Sequence, residues 1–228
     1  MPNKKSMETM QNHETTNVYC IGHNHISLTG SIQTKVLNED EDHLPLLASK
    51  STTALTGPNS PIKINQQNRQ VDWEAELVLK LGKSAFNLVD TLAAREVIQS
   101  WGVGNDISDR WWQGNGGGQW IKGKSFPGFA PHNIDFKSLS PDFNLDRQIK
   151  CWVNDELMQD SSLNEYIFPP DWLVWHLSQS MMLKPGDLIF CGTFPGCGFH
   201  QKPERFLKPG DSLRTSIEGL GELNNQIV

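Results

Sequence analysis

The sequence predicts an α+β domain that is mainly β, with short strands and a few short helices. Apolar and polar residues alternate in several short runs, most clearly at residues 71–80 and 149–153, as they do in half-buried strands. Pro-Gly pairs, typical of type II turns, occur in two LKPGD segments, at residues 183–187 and 207–211. Helical spacing of apolar residues is restricted to two stretches. This pattern is typical of a strand-rich domain with local helices.

The predicted strands are short apolar or alternating runs bounded by turn-forming residues. They comprise residues 18–21, 62–64, 71–80, 149–153 and 188–191. After the fourth strand, Asn154 and Asp155 form a typical hairpin turn. Residues 102–113 are expected to form a strand followed by a turn, and the glycine-rich residues 114–118 a flexible loop.

Two helices are predicted, each with an acidic residue at its start. Residues 90–101 form the first, with Asp90 as the N-cap and Gly102 ending the helix. Residues 172–183 form the second, with Asp171 as its cap. Apolar residues spaced three or four apart in the second helix indicate a core-facing stripe.

Composition and charge restrict the class of protein. The 228 residues suffice for one sizeable domain, which we expect at residues 17–228 after a polar, disordered tail at residues 1–16. A net charge of −6 favours neither nucleic acid nor an anionic membrane as a partner. No apolar run approaches the roughly 18 residues needed to span a bilayer, and the tail lacks the apolar segment of a signal peptide. The four cysteines form no CxxC pair, so free buried thiols and a cytoplasmic location are expected.

The run VDWEAELVLK at residues 71–80 holds the strongest functional signal. Alternation along a strand places Glu74 and Glu76 on the same face, roughly 6–7 Å apart at about 3.3 Å per residue. Two carboxylates this close repel each other unless a positive group lies between them. One interpretation is therefore a cation site, and the other is a half-exposed strand with its polar face in water.

Other polar residues extend the predicted site. Asp106 is a third acidic candidate, and ligation by oxygen alone favours Mg²⁺, Mn²⁺ or Ca²⁺ over zinc. Lys124 would balance the remaining negative charge and hold an anionic substrate, unless it is an ordinary surface lysine. His23 and His25 are candidate catalytic or metal-binding residues, or else surface or capping residues. Side chains that point apart at these three positions, or a lysine fixed among the three carboxylates, would rule out the metal site.

Five motifs occur in the order in which one enzyme family carries them. VDWEAEL resembles a D-x-E-x-E strand, NDISDRWWQ an N-D-x-x-x-R-x-x-Q segment, and GKSF a lysine segment. VNDELMQD resembles a V-N-G-x-x-x-Q hairpin, and LKPGDLIFCGTFPGCG resembles an L-x-P-G-D…G-T-P-x-G-V-G turn. From about Val18 to the C-terminus the chain resembles the fumarylacetoacetate hydrolase (FAH) family.

The resemblance implies a fold and a role for each matching residue. The fold would be a mixed β-sheet roll or barrel, and the protein a homodimer. Glu74, Glu76 and Asp106 would bind Mg²⁺ or Mn²⁺, with Ca²⁺ as an alternative, and Lys124 would be catalytic. The residues Arg110, Gln113 and Thr193 would bind a small 2-oxo acid such as an acylpyruvate, fumarylpyruvate or oxaloacetate.

The first lid of the family, expected at about residues 23–43, departs from the family pattern. In hydrolytic members of the family this segment resembles the pattern G-x-N-Y-x-x-H-x-x-E, whose His and Glu activate a water. Gly22 and Asn24 fit, His25 replaces the Tyr, and Leu28 and Ser31 stand where the His and Glu are expected. A missing general base slows hydrolysis by on the order of 10²–10⁴-fold. His25 is the candidate replacement base, with His43 as an alternative.

Three functional hypotheses remain open. The first is a metal-dependent hydrolase or lyase that acts on a small 2-oxo acid through a metal-stabilised enolate, as the resemblance implies. The second is an isomerase, hydratase or decarboxylase, because the lid lacks the residues that activate water. The third is a binding or structural homologue that has lost catalysis. A substrate panel assayed with and without Mg²⁺ would separate them.

Overall fold

The computed structural model describes residues 17–28, 44–133, 137–138 and 144–228 and is dominated by strands. The strands are β1 (Val18–Gly22), β2 (Leu46–Lys50), β3 (Leu55–Thr56), β4 (Val71–Asp72), β5 (Ala75–Leu81), β6 (Ile98–Asn105), β7 (Ser108–Asp109), β8 (Ala130–Pro131), β9 (Lys137–Ser138), β10 (Gln148–Val153), β11 (Glu156–Ser162), β12 (Leu188–Phe190), β13 (Ser212–Ile217) and β14 (Gly221–Gln226). The α-helices are α1 (Thr91–Arg95), α2 (Arg110–Gly114), α3 (Trp120–Lys124) and α4 (Pro170–Ser178). The 3-10 helices span Ile26–Leu28, Thr52–Ala54, Leu163–Glu165 and Gly198–His200.

The larger sheet has six strands in the order β2-β1-β12-β5-β6-β9. Its only parallel pair among these strands is β1 with β12, and the other neighbours are antiparallel. The central strand β5 is buried on both faces, because apolar side chains from either side of the strand lie inside the protein. Glu76, which lies in this strand, is therefore buried as well.

A second sheet of four antiparallel strands, in the order β11-β10-β13-β14, packs against the first. One apolar core contains side chains from both sheets, among them Leu77 of β5, Ile149 of β10 and Leu213 of β13. The short pairs β3/β8 and β4/β7 complete the strand pattern. The α+β, mainly β prediction is confirmed, although the sheets formed by the described residues do not close into a barrel.

The first predicted helix is much shorter than residues 90–101. Asp90 does cap it, since its Oδ1 accepts the Ala93 N–H at 2.8 Å, but α1 ends at Arg95. The prediction that Gly102 ends the helix is wrong, because residues 98–105 form β6 and pair with β5. Pairing with a buried strand stabilises the extended backbone more than the weak helical spacing favours a helix.

The second predicted helix is shifted and shortened. Helix α4 begins at Pro170, so Asp171 lies inside its first turn and is not the cap. The helix ends at Ser178, five residues before the predicted end. Leu173 and Leu177 are buried as expected. Helix α2, at residues 110–114, lies where a turn and the start of a flexible loop are predicted, and no element is predicted for residues 120–124, which form α3. Each helix is too short to show a helical period.

Several turn and strand predictions are confirmed. The hairpin between β10 and β11 has positive φ at Asn154 and Asp155. Each LKPGD segment forms a tight turn in which the Asp N–H bonds the Lys carbonyl oxygen at 3.1 Å, and a strand follows each turn. The predicted strand 71–80 is interrupted at residues 73–74, where β4 ends before β5 begins.

The four cysteines are free and buried, as predicted. Burial raises the pKa of the Cys20, Cys191 and Cys197 thiols well above the usual value, and that of Cys151 to about 12. The thiolate form is therefore disfavoured at each position.

Two regional predictions fall wholly or largely outside the described residues. They are the N-terminal tail at residues 1–16 and most of the lid, from residue 29 to residue 43. The division into a tail and one domain stays a prediction. Within the described part of the chain, no helix is both long and apolar enough to cross a membrane.

Candidate active site

Three carboxylates from two segments converge at one end of the β5/β6 pair. Glu74 precedes β5, Glu76 lies within it, and Asp106 follows β6. Oxygen atoms of all three lie within 4.8 Å of one another. Antiparallel pairing sets Glu76 opposite Gly104, and the Asp106 N–H donates to the Glu74 carbonyl oxygen at 2.8 Å. The interpretation of a polar face in water is wrong, because Glu74 is 7% exposed and Glu76 1%.

Lys124 supplies a positive charge to this cluster. Its Nζ lies 3.0 Å from Glu74 Oε2 and 2.6 Å from Asp106 Oδ2, and it donates to Ser108 Oγ at 3.0 Å. The side chain is buried at the end of α3, so the alternative of an ordinary surface lysine is wrong. Although burial alone would lower the pKa of Lys124, the Asp106 and Glu74 carboxylates raise it above its ordinary value. Lys124 therefore stays an ammonium.

A second buried lysine, Lys50, was not predicted as a site residue. It ends β2, and its Nζ lies 2.6 Å from Asp106 Oδ1. Burial lowers the pKa of Lys50, outweighing the opposite effect of Asp106. The local sequence LLASK gives no signal of this role, because the contact joins residues 56 positions apart and depends on the tertiary fold.

The carboxylates respond differently to this environment. Burial raises the pKa of Glu76 well above its usual value, and the Asp106 and Glu74 charges act in the same direction. Burial also opposes ionisation of Asp106, but the ammonium groups of Lys124 and Lys50 hold its pKa below the ordinary value. Glu76 Oε2 accepts the Gly192 N–H at 2.8 Å. Next to the Asp106 and Glu74 carboxylates, the Glu76 carboxylate is stable only when it is protonated or when a cation lies nearby.

Arg110 links the cluster to a buried acid that sequence reasoning did not assign to the site. Its Nη1 lies 2.5 Å from Glu74 Oε1, and its Nε donates to Asp72 Oδ2 at 2.8 Å. Despite burial, the Glu74 and Asp72 carboxylates raise the pKa of Arg110. Nη1 also donates to Gln113 Oε1 at 3.0 Å, which fixes the orientation of that amide. Asp72 was visible in the D-x-E-x-E motif, but its spacing alone assigned it no role.

A cavity of about 430 Å³ opens beside the cluster. Its lining includes Glu74, Arg110, Gln113, Lys124 and Thr193. The structure therefore brings the three predicted substrate-binding residues to one cavity together with Lys124. Gln113 Nε2 is buried and has no hydrogen-bond partner, so it is a donor available to a ligand acceptor. Glu76 and Asp106 lie deeper and are not part of the lining.

His25, the predicted catalytic histidine, does not line this cavity. Its Nε2 is 2.8 Å from Glu165 Oε2 and 3.1 Å from Ser161 Oγ, and its Nδ1 accepts the Ser27 N–H at 3.1 Å. Because Nδ1 is an acceptor, the proton of the neutral ring belongs on Nε2, facing Glu165. His25 is not in the cavity lining, whereas His23 is. The alternative base His43 lies outside the described residues.

The donor set fits a hard divalent cation in part. Lys124 already neutralises one oxygen each of Glu74 and Asp106, and a lysine fixed among the carboxylates is the arrangement expected to rule out a metal. However, Glu76 Oε1 and Asp106 Oδ1 are buried acceptors that receive no hydrogen bond. Burying such an acceptor costs free energy unless a cation contacts it. The cation nearest to Asp106 Oδ1 is the Lys50 ammonium. An all-oxygen set of this kind could bind Mg²⁺, Mn²⁺ or Ca²⁺.

Known proteins resemble this chain over nearly its whole length. Oxaloacetate tautomerase fahd2, mitochondrial, of Xenopus laevis is 35% identical over 92% of this chain and 65% of its own length. Oxaloacetate tautomerase FAHD2B, mitochondrial, of Bos taurus is 37% identical over 92% of this chain and 66% of its own length. The chain thus spans just under two thirds of these relatives. Both names include "mitochondrial", and the cytoplasmic location expected here stays a prediction.

Solved structures share the fold. The 5-carboxymethyl-2-hydroxymuconate delta-isomerase of Mycobacterium smegmatis superposes with a TM-score of 0.80 at 27% identity, over 94% of this chain and 79% of that one. The fumarylacetoacetate hydrolase of Exiguobacterium antarcticum gives 0.81 at 29% identity, over 92% and 74%. The family model described as fumarylacetoacetate (FAA) hydrolase C-terminal matches residues 17–228. With this match and the identities above, the chain belongs to the fumarylacetoacetate hydrolase family.

Proposed function

We propose that this chain carries the active site of a divalent-metal-dependent enzyme that interconverts the enol and keto forms of a small 2-oxo dicarboxylic acid such as oxaloacetate. The observation that carries the proposal is a buried carboxylate oxygen without a hydrogen-bond donor, Glu76 Oε1, within a three-carboxylate cluster. Relatives named oxaloacetate tautomerase support the choice of reaction.

Glu74, Glu76 and Asp106 would hold the cation, with Mg²⁺ or Mn²⁺ the preferred ions and Ca²⁺ an alternative. When bound, a divalent ion acts as a Lewis acid that polarises the carbonyl of a 2-oxo acid. The cavity beside the cluster is large enough for a small acid and opens to the site at Glu74.

The chain's own residues would bind the substrate and stabilise its charge. The free Nε2 of Gln113 would donate to a substrate oxygen, held in place by the bond from Arg110 to its Oε1. Thr193 would line the opposite part of the site, with its hydroxyl already bonded to the Ala75 carbonyl oxygen at 3.1 Å. Lys124, which stays protonated, would stabilise negative charge on the substrate oxygen when the enol O–H is lost.

Tautomerisation suits the altered lid. The substrate loses one proton from oxygen and gains one at carbon, so no bond between heavy atoms breaks and no activated water is needed. Leu28 stands where hydrolytic members of the family have the His of the lid. Cleavage of an acylpyruvate is the second candidate, because the Exiguobacterium structure with the same fold is a fumarylacetoacetate hydrolase.

The test is a spectrophotometric assay of oxaloacetate ketonisation on the full chain, after chelation and then with Mg²⁺ or Mn²⁺ restored. Activity should require the added ion and should fall on the order of 10²-fold in Glu76→Gln, because a proposed carboxylate ligand of the cation is lost. Glu96→Gln, which changes an exposed glutamate, is the matched control. Full activity without metal or in Glu76→Gln would reject the proposal. Cleavage of acylpyruvate without ketonisation would favour the second candidate.

A further inference from the structure

The buried ammonium of Lys50 is held by an unusually complete set of acceptors. Its Nζ donates to the carbonyl oxygens of Ile107 at 2.8 Å, Lys124 at 2.7 Å and Phe129 at 2.8 Å. An ammonium has three N–H groups, so these three carbonyls use all of them. The side chain is fully enclosed, and the residue as a whole is 4% exposed.

Asp106 Oδ1 is the fourth oxygen around the same nitrogen, at 2.6 Å. It is in ion-pair contact with Lys50, whose three N–H groups are shared with the three carbonyls. The contact is therefore mainly an attraction between charges, and it leaves a lone pair of Oδ1 free to face another cation. The other oxygen of the same carboxylate, Oδ2, is held by Lys124. Two ammonium groups thus restrain both ends of the Asp106 carboxylate.

The three carbonyls belong to segments that build the site. Ile107 directly follows Asp106, Lys124 is the lysine of the cluster, and Phe129 lies in the loop after α3. Lys50 comes from the strand β2 at the edge of the six-stranded sheet. One side chain therefore connects that edge strand to the backbone on both sides of the site.

Stabilisation of the fold alone does not explain why a charged lysine is buried at position 50. A buried ion pair is often no more stabilising than apolar side chains of similar volume, because both charges must lose their hydration. An apolar residue would fill the same space, but it would leave three carbonyls and one carboxylate oxygen without a partner. The geometry is better explained by a need to hold Asp106 in one orientation at reduced net charge.

Building on the proposed function, we propose that Lys50 is a positioning residue for the metal site. It orients the Asp106 carboxylate toward Glu74 and Glu76 and neutralises part of the repulsion among the three acids. It is not part of the cavity lining, so it would act through Asp106.

The experiment measures Mn²⁺ binding to the full chain by calorimetry and the spectrum of the bound ion by electron paramagnetic resonance. Lys50→Met removes the charge at nearly constant volume, and Lys50→Arg keeps the charge but replaces the compact ammonium with a planar group. Lys63→Met, at an exposed lysine, is the control. We expect Lys50→Met to bind Mn²⁺ about 10- to 100-fold more weakly, as is usual when a partner of a ligand is lost.

The spectrum separates positioning from a merely structural role. Both Lys50 variants should show altered splitting of the bound Mn²⁺ signal, because Asp106 has moved, and Lys63→Met should match the wild type. Folded variants with wild-type affinity and spectrum would overturn the proposal. If Lys50→Met does not fold, Lys50→Arg decides in the same way. Absence of Mn²⁺ binding by the wild type would instead reject the proposed function.

Discussion

At the residue scale, Asp72 shows how one acid of a motif can serve the site without facing the ligand. Its carboxylate accepts N–H groups of Gly198 at 2.7 Å and Phe199 at 3.0 Å, in addition to Arg110. It thereby holds the 198–200 turn, whose Phe199 and His200 line the cavity, against β4. The motif contained this residue, but only the fold separated its structural role from that of Glu74 and Glu76.

We predict that Asp72→Asn lowers the free energy of unfolding by about 3 kcal/mol or more, because it leaves the buried guanidinium of Arg110 without one of its charged partners. Asp160→Asn is the control, since Asp160 forms an exposed ion pair with Lys150 and its loss should cost less than about 1 kcal/mol. Urea unfolding monitored by tryptophan fluorescence measures both. Equal losses in the two variants would contradict the prediction.

A partly buried histidine, His132, should give the protein a pH-dependent stability. Burial lowers the pKa of His132 below the ordinary 6.5, Lys80 acts in the same direction, and the bond to the Ala130 carbonyl oxygen opposes both. Below pH 6.5 the unfolded chain therefore binds a proton that the folded chain does not. The contribution of His132 to the free energy of unfolding should be fully present above pH 6.5. It should fall as the pH drops through the lower pKa that His132 has in the folded state.

We predict that His132→Gln reduces this dependence. The difference in urea midpoint between about pH 7.5 and about pH 5.5 should be smaller in the variant than in the wild type, because the titrating group is gone. An unchanged difference would show that other groups, such as His176, whose pKa burial also lowers, dominate the acid response.

At the scale of elements, β6 illustrates where local patterns fail. Leu92, Val97 and Trp101 fall near one helical face, yet the chain turns at residue 96 and continues as a strand. Val97, Ile98 and Trp101 are buried in the same core as β5. β-branched residues fit a pleated, buried surface well, and the pairing with β5 satisfies the backbone. The pattern within residues 90–101 could not indicate this shared core, because the core depends on contacts with a different strand.

The absence of a side chain at Gly104 allows β6 to pack closely against residues of β5 and β12. A Cβ atom built there would collide with Val78 Cγ2 and would lie 2.7 Å from Phe190 Cε1. Val78 lies on the neighbouring strand β5 and Phe190 on β12 beyond it, and both side chains are buried, so neither can move freely. A side chain at this position would therefore also displace Asn105 and Asp106, which carry the site.

We predict that Gly104→Ala destabilises the protein by about 1–3 kcal/mol, as overpacking of a core does. Gly114→Ala is the matched control, because no atom lies within 4 Å of its Cβ position and its φ is not positive. Thermal and urea unfolding should show a loss for the first variant and little change for the second. A well-tolerated Gly104→Ala would indicate that the strands can separate at low cost.

At the scale of the whole molecule, two sheets share one core and leave a polar cluster inside it. Four acids, Asp72, Glu74, Glu76 and Asp106, form a cluster with two buried lysines, Lys50 and Lys124, and the partly buried Arg110. Buried charges persist only when they are paired or bind ions. A chain with a net charge of −6 has thus placed several of its basic groups in the interior.

The homodimer implied by the family resemblance is a prediction at this scale. Light scattering coupled to size-exclusion chromatography should give twice the chain mass of 25.7 kDa. The mass should not change on adding Mg²⁺, because no residue of the proposed cation site reaches the exposed surface. A single-chain mass at all concentrations would contradict the prediction.

The amino-acid sequence alone predicted the strand-rich class, the turns at both LKPGD segments and the hairpin at Asn154. It also indicated the family, and the family resemblance implied a common role for Glu74, Glu76 and Asp106. These features depend on short-range chemistry or on residue types at set spacings, which a sequence displays directly. Only the tertiary structure decided that residues 98–105 form a strand and that His25 faces Glu165. It also showed that Lys50 and Asp72 support the site, because such roles depend on contacts between residues far apart in the chain.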